Sequence, residues 1–260
     1  MILEELASLT GARVAEEKKK ISAVQMRRMA EELPVKEGFL FEAALRKPGL
    51  SFICEVKKAS PSKGLIAEDF PYQKIAQEYE AAGASAISVL TEPYRFLGSD
   101  KYLQEIAACV KIPVLRKDFT VDSYMIDQAK VLGASAVLLI CAILDDGKLR
   151  DYMAQAKALG LSALVEAHDE NEVERALRAG ASVVGVNNRD LRTFQVDVRN
   201  SVRLREMVPP EVVFVSESGI RGPEDTKILY ENGTDAVLIG ETLMRSQDKK
   251  AALAHLRQGR

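Results

Sequence analysis

Four stretches of the chain share one alternation of polar and apolar positions. They are AAGASAISVLT (81–91), LGASAVLLICA (132–142), AGASVVGVNN (179–188) and NGTDAVLIGE (232–241). Each follows a helix-like segment, passes through a glycine and two or three small or polar residues, and ends in a short aliphatic run. Glycine suits the left-handed residue that ends many helices. A short apolar run without polar alternation fits a strand buried on both faces, as in parallel sheets. The repeating unit is therefore helix, glycine stop, strand.

Applied to the whole chain, the pattern predicts eight strands: Phe52–Lys57, Ala86–Leu90, Val114–Lys117, Val137–Cys141, Ala163–Glu166, Val183–Asn187, Val212–Ser216 and Ala236–Ile239. Helical patterns separate them, among them Asp122–Leu132, Lys148–Leu159 and Glu170–Ala179. Right-handed βα units repeated eight times close into a barrel. The rival, an open doubly wound sheet, usually carries a G-x-G-x-x-G loop after an early strand, and none is present. The expectation is an α/β protein, a single-domain (βα)8 TIM barrel over residues 51–260, with a helical extension over residues 1–50. The extension reads as two amphipathic helices ending near Pro34 and a short one before Pro48. They could cap the bottom of the barrel, or one of them could lie at its mouth.

Composition narrows the partners. The 260 residues are 47% hydrophobic and 28% charged, with a formal net charge of −2. That balance gives no bulk attraction to nucleic acid or to a membrane surface. The N-terminus lacks the pattern of a secretory signal, and no apolar run is long enough to span a bilayer. Three widely spaced cysteines, Cys54, Cys109 and Cys141, suggest neither a disulfide framework nor a zinc knuckle, and read as buried packing residues of a cytoplasmic protein.

Chemistry concentrates where the strands end. In FICEVKKASPSKG (52–64), strand alternation puts Ile53, Glu55 and Lys57 on one face. Glu and Lys are seldom buried unless paired. The C-terminal ends of the strands carry the active sites of this fold, and these ends bring Glu55 and Lys57, Lys117, Glu166, Asn187 and Arg189, and Glu217 and Ser218 to one rim. Each is ordinary in isolation: an ion pair at a strand end, a solvated Arg116–Lys117 pair, Asp118 as a helix cap or a local partner for either cation. Together, at five strands, they form a site. His168 follows Glu166 with no evident partner, and His255 falls in an exposed C-terminal helix. No spacing of ligands suggests a metal or a metal mechanism. The loops SGIRGPED and IGETLMRS supply Gly219, Gly222 and Gly240 where such barrels bind phosphate. Pro223 suits a first helical turn, and the amides opening ETLMRS point at the same place. The SPSKG loop adds Ser60 and has the composition of a lid.

The segments EVKKASPSKG, VLTEP, LRKDF, LVEAHDE, VNNRDL, SESGI and LIGETLM together resemble the indole-3-glycerol phosphate synthases over nearly the whole chain, and E-x-K-x-x-SPS-x-G is the most specific of these motifs. The resemblance implies a monofunctional, cofactor-free enzyme of tryptophan biosynthesis, a monomer or weak homo-oligomer. It implies ring closure of 1-(2-carboxyphenylamino)-1-deoxyribulose 5-phosphate to indole-3-glycerol phosphate, with loss of carbon dioxide and water. By the same resemblance Lys117 is the general acid, and Lys57 holds the substrate carboxylate and can share the acid role. Glu166 and Glu55 stabilise positive charge and assist dehydration. Asn187 binds a hydroxyl or positions the acid, and Glu217 and Ser218 shape the far side. Ser60, Gly219, Gly240 and Glu241 take the phosphate, while Phe119, Leu138 and Leu191 sandwich the aromatic ring. Two rivals remain on the residues alone: another phosphate-sugar enzyme, such as an isomerase or a lysine Schiff-base aldolase, and a phosphate-metabolite binder without catalysis.

Overall fold

Every predicted strand forms, within one residue at each end, in the computed structural model, which describes residues 2–35, 38–190 and 193–259. The barrel strands are β1 (Ser51–Val56), β2 (Ala86–Leu90), β3 (Val114–Lys117), β4 (Ala136–Ile140), β5 (Ser162–Ala167), β6 (Val183–Asn187), β7 (Val213–Glu217) and β8 (Ala236–Ile239). All neighbours are parallel, and β1 pairs with both β2 and β8, which closes the barrel. Between Lys58 and Ile66 a small antiparallel hairpin joins Ala59–Ser60 to Gly64–Leu65.

The glycine stops act as their position suggests. After the helix Tyr72–Ala81, Gly83 takes φ +87°. Its N–H reaches Glu80 O at 2.8 Å, and Ala84 N–H reaches Tyr79 O at 3.0 Å. This six-to-one plus five-to-two pairing satisfies two carbonyls that the helix end leaves open. Gly133, Gly180 and Gly233 repeat it at the other three related segments.

Strand alternation divides the interior in two. Phe52, Cys54 and Val56 pack outward against the helices, in one core with Ile75, Tyr79 and Leu253. Ile53 points inward with Leu115, Leu138, Leu164, Val215 and Leu238. Both readings of the extension hold, for different helices. Helix α1 (Ile2–Lys20) lies at the mouth, α2 (Ala23–Glu31) packs Met26 against Tyr124 and Met125, and α3 (Leu40–Leu45) drives Phe41 and Leu45 into the lower end of the barrel core. Ser51 Oγ and Ser182 Oγ tie α3 to the strand starts.

One expectation about packing needs correction. Cys54 and Cys141 are buried, but Cys109 is only half-buried. It falls off the stripe that Leu103 and Ile106 present to the core, at the last residue of its helix (Asp100–Cys109). All three cysteines are free thiols. Among the described residues no helix is long and apolar enough to cross a membrane.

Candidate active site

A cavity of about 590 Å³ opens at the C-terminal ends of the strands, a volume ordinary for a small-molecule site. Glu55, Lys57, Ser60, Lys117, Phe119, Leu138, Glu166, Asn187, Arg189, Glu217, Ser218, Gly219, Gly240 and Glu241 all contribute to its wall. Leu191 lies outside the described residues.

Glu55 and Lys57 share the inner face of β1 and its extension, as alternation requires. Lys57 Nζ lies 2.6 Å from Glu55 Oε1. Gly240, after β8, makes room for this pair. A Cβ there would sit 2.3 Å from Glu55 Oε1 and 2.7 Å from Lys57 Nζ.

Opposite, Lys117 ends β3 between two carboxylates. Its Nζ is 2.9 Å from Glu166 Oε2 and 3.1 Å from Glu217 Oε2. Asn187 Nδ2 donates to Glu166 Oε1 at 3.3 Å. Arg116 points the other way, into a buried network with Asp100, Gln128 and the carbonyl of Met125. So Arg116 and Lys117 are not a solvated pair. Asp118 does more than cap a turn. It accepts from Phe119 N–H, Thr91 Oγ1 and Arg13 Nη2, binding α1 to the strand that carries Lys117.

Two carboxylates sharing one ammonium behave differently. Burial opposes charge on Lys117, but Glu166, Glu217 and Glu55 outweigh it and keep the ammonium protonated. Burial also works against ionised Glu166, yet Lys117 and His168 hold its pKa down to about 2. Glu217 is pushed up to about 7 by burial, assisted by repulsion from Glu166 and Glu55. Its Oε1 is buried without a hydrogen-bond partner among the described residues, close over Gly185.

The rim between β6 and β8 turns backbone towards the cavity. Gly219 takes φ +87°, directly after Ser218 at φ +67°. This turns the chain sharply and brings its backbone to the cavity. A helix starts at Glu241 (Glu241–Arg245), and Lys63 Nζ reaches Glu241 Oε1 at 3.6 Å from the hairpin tip. Burial lowers the pKa of Arg189, Arg221 adds repulsion, and Glu241 and Glu55 counter only in part. An anionic ligand beside this guanidinium would relieve that imbalance.

The sequence reading missed three contributions. Ile2, Leu3 and Leu6 of α1 line the mouth, and Phe96 comes from the loop after β2, its ring 6.2 Å from that of Phe119. An apolar stripe on α1 was visible, but nothing local says where that stripe docks. His168, expected to lack a partner, has two: Glu172 at 3.0 Å and Glu166 at 3.4 Å. The Glu at i+4 on the next helix was a signal for the first of them.

Known proteins resemble this chain over nearly its whole length. A profile of the indole-3-glycerol phosphate synthase family matches residues 3–256. An indole-3-glycerol phosphate synthase of Ruminiclostridium cellulolyticum is 58% identical over 257 residues, 99% of each chain. One from Endomicrobium trichonymphae is 55% identical, over 99% of this chain and all of its own. Among solved structures, 3-hexulose-6-phosphate synthase from Salmonella typhimurium aligns with a TM-score of 0.67 at 14% identity, covering 81% of this chain and 98% of that one. A thiamine phosphate pyrophosphorylase from Pyrococcus furiosus aligns with a TM-score of 0.62 at 16% identity, over 83% and 96%. The two structures show the barrel fold. The family profile and the two sequences match over nearly the whole chain, and the chain belongs to the indole-3-glycerol phosphate synthase family.

Proposed function

We propose that this enzyme closes the indole ring. It converts 1-(2-carboxyphenylamino)-1-deoxyribulose 5-phosphate to indole-3-glycerol phosphate, carbon dioxide and water. The observation that carries the reading is Lys117, a half-buried ammonium held between Glu166 and Glu217 and facing a cavity whose other rim suits a phosphate.

The chemistry asks for an acid at the ketone oxygen while the ring carbon bearing the carboxylate attacks. Lys117 supplies that proton. Lys57, oriented by Glu55, holds the substrate carboxylate until it leaves. Positive charge that develops on the anilino nitrogen and ring is stabilised by ionised Glu166 and by Glu55. Loss of the carboxylate restores the aromatic ring, and dehydration follows, with Lys57 giving a proton to the departing hydroxyl beside Asn187 while Glu166 or Glu55 takes the proton that leaves the neighbouring carbon. Ser60, Gly219, Gly240 and Glu241 seat the phosphate, the glycines through backbone amides. Phe119 and Leu138 flank the aromatic ring, with Arg189 near the anionic groups. The Schiff-base alternative needs a neutral lysine as nucleophile. The carboxylates around Lys117 favour the charged form, which suits an acid. Free thiols suit a reducing compartment, and we place the enzyme in the cytoplasm.

The test mixes the purified enzyme with the carboxyphenylamino-deoxyribulose phosphate and EDTA and follows indole fluorescence. The chain has no tryptophan, so its background is low. A rise that Lys117→Ala removes is expected. A folded protein that binds phosphate but gives no rise would overturn the assignment.

A further inference from the structure

Beyond Glu166 lies a second proton-bearing group that ring closure, as described above, leaves without a task. His168 follows the end of β5 at the same parity as Glu166, so its imidazole lies beside that carboxylate. Glu172, in the first turn of the next helix (Glu170–Arg178), accepts the His168 backbone N–H at 2.8 Å, and the same oxygen is 3.0 Å from Nδ1. An ionised carboxylate only accepts, so Nδ1 carries hydrogen. On the other side of the ring, Nε2 lies 3.4 Å from Glu166 Oε1. Nε2 is buried and has no hydrogen-bond partner of standard geometry among the described residues.

This contact constrains the proton count. With hydrogen on Nδ1 alone, the Nε2 lone pair would face an ionised oxygen at close range, which is repulsive. One more proton, on Nε2 or on Glu166, makes the contact attractive. The surroundings decide where it rests. Glu172 comes from the following helix, Glu166 from β5 and Glu217 from β7. Lys117 of β3 holds the far oxygen of Glu166, and Asn200 contacts only the His168 carbonyl, at 3.0 Å. Burial works against a charged ring, but the bond to Glu172 and the three carboxylates outweigh it, so the imidazole pKa is raised.

We propose that His168, anchored by Glu172, is a positioning residue for Glu166. It keeps a proton facing Oε1, and so holds the carboxylate ionised and turned towards Lys117. This deepens the ring-closing assignment and rests on Glu166 taking part in it. Loss of the His168 proton at alkaline pH loosens Glu166 and lowers kcat, while substrate binding by the phosphate rim is untouched.

The chain contains two histidines, His168 and an exposed His255, so imidazole NMR resolves them without ambiguity. His168 is expected as the Nδ1–H tautomer when neutral, with a midpoint above the ordinary imidazole value. Glu166→Gln and Glu172→Gln should each lower that midpoint. In kinetics, Glu172→Gln should move the alkaline limb of kcat to lower pH in step with the NMR midpoint. His168→Ala should cut kcat about tenfold with KM within about twofold, and remove the limb. His168→Gln, whose amide can still donate to Glu166, should recover part of kcat without restoring the limb. Two results would overturn the proposal: a His168 midpoint that Glu166→Gln leaves in place, or folded Glu172→Gln and His168→Ala enzymes with wild-type pH profiles. Should Glu166→Gln retain full turnover while the NMR coupling persists, the fault lies with the role of Glu166, and the positioning role falls with it. An inactive Glu166→Gln enzyme without NMR coupling places the fault on His168 alone.

Discussion

Lys57 and Gly240 meet at one point of the wall, and each can be tested by one substitution. Lys57→Ala removes the group that holds the substrate carboxylate. Turnover should fall about a thousandfold, with an unchanged circular dichroism spectrum. A variant that keeps most of its turnover would return the Glu55–Lys57 pair to the status of a strand-end ion pair. Gly240→Ala is a test of space. The backbone there, at φ −115°, is not in the left-handed region that favours glycine, so the added methyl acts chiefly through its overlap with Glu55 and Lys57. It should lower kcat/KM at least tenfold, the scale at which small displacements in a preorganised site are felt, and a wild-type value would mean that the pair can shift without loss.

At the scale of elements, α1 is part of the site rather than a decoration of the barrel. Its buried face, Leu6, Thr10 and Val14, seats it on the rim, and Arg13 locks it there. Arg13 Nη2 lies 2.7 Å from Asp118 Oδ2, and Arg13 Nη1 donates to Thr91 O at 3.2 Å. Asp118 is 2% exposed, so Arg13→Ala takes the nearer of two cations from a buried carboxylate and leaves Arg116 at 3.8 Å. The loss is about 2 kcal/mol, softened by the Thr91 and Phe119 donors that remain. Melting should drop by roughly 5 °C. Because α1 also lines the mouth, KM should rise more than kcat falls. A melting loss without any KM change would make α1 a purely structural brace. The parity of β1 and β3 was readable in the sequence, since alternation alone separates Lys57 from Val56 and Lys117 from Arg116. The docking of α1 was not, because Arg13 and Asp118 are 105 residues apart and no local period links them.

For the whole molecule, the pair of carboxylates around Lys117 ties stability to pH in two opposed windows. Glu217, raised by burial to about 7 from an ordinary 4.5, binds a proton in the folded state that the unfolded chain releases. Its contribution therefore grows as pH falls from about 7 to about 4.5. Glu166, lowered to about 2, stabilises fully above about 4.5 and loses that contribution as pH falls towards 2. Glu217→Gln removes the charge that burial penalises. It should raise the melting temperature by roughly 5 °C at pH 8 and by less at pH 5, and lower turnover. Equal gains at both pH values would show that Glu217 is ionised throughout, contrary to its surroundings.

The division between sequence and structure follows from range. Helix and strand periods, glycine stops and strand parity act over a few residues, so the eight strands, the closed barrel and the rim on which Glu55, Lys57, Lys117, Glu166, Asn187 and Glu217 stand were determined by the sequence on its own. Which of those groups touch, and which of them carry protons, was decided only when the barrel closed. Closure sets Lys117 against Glu217 across 100 positions of chain, turns His168 onto Glu166, and brings α1 over the mouth. Charges interact strongly only where water is removed from both, and that removal is the work of all eight strands together.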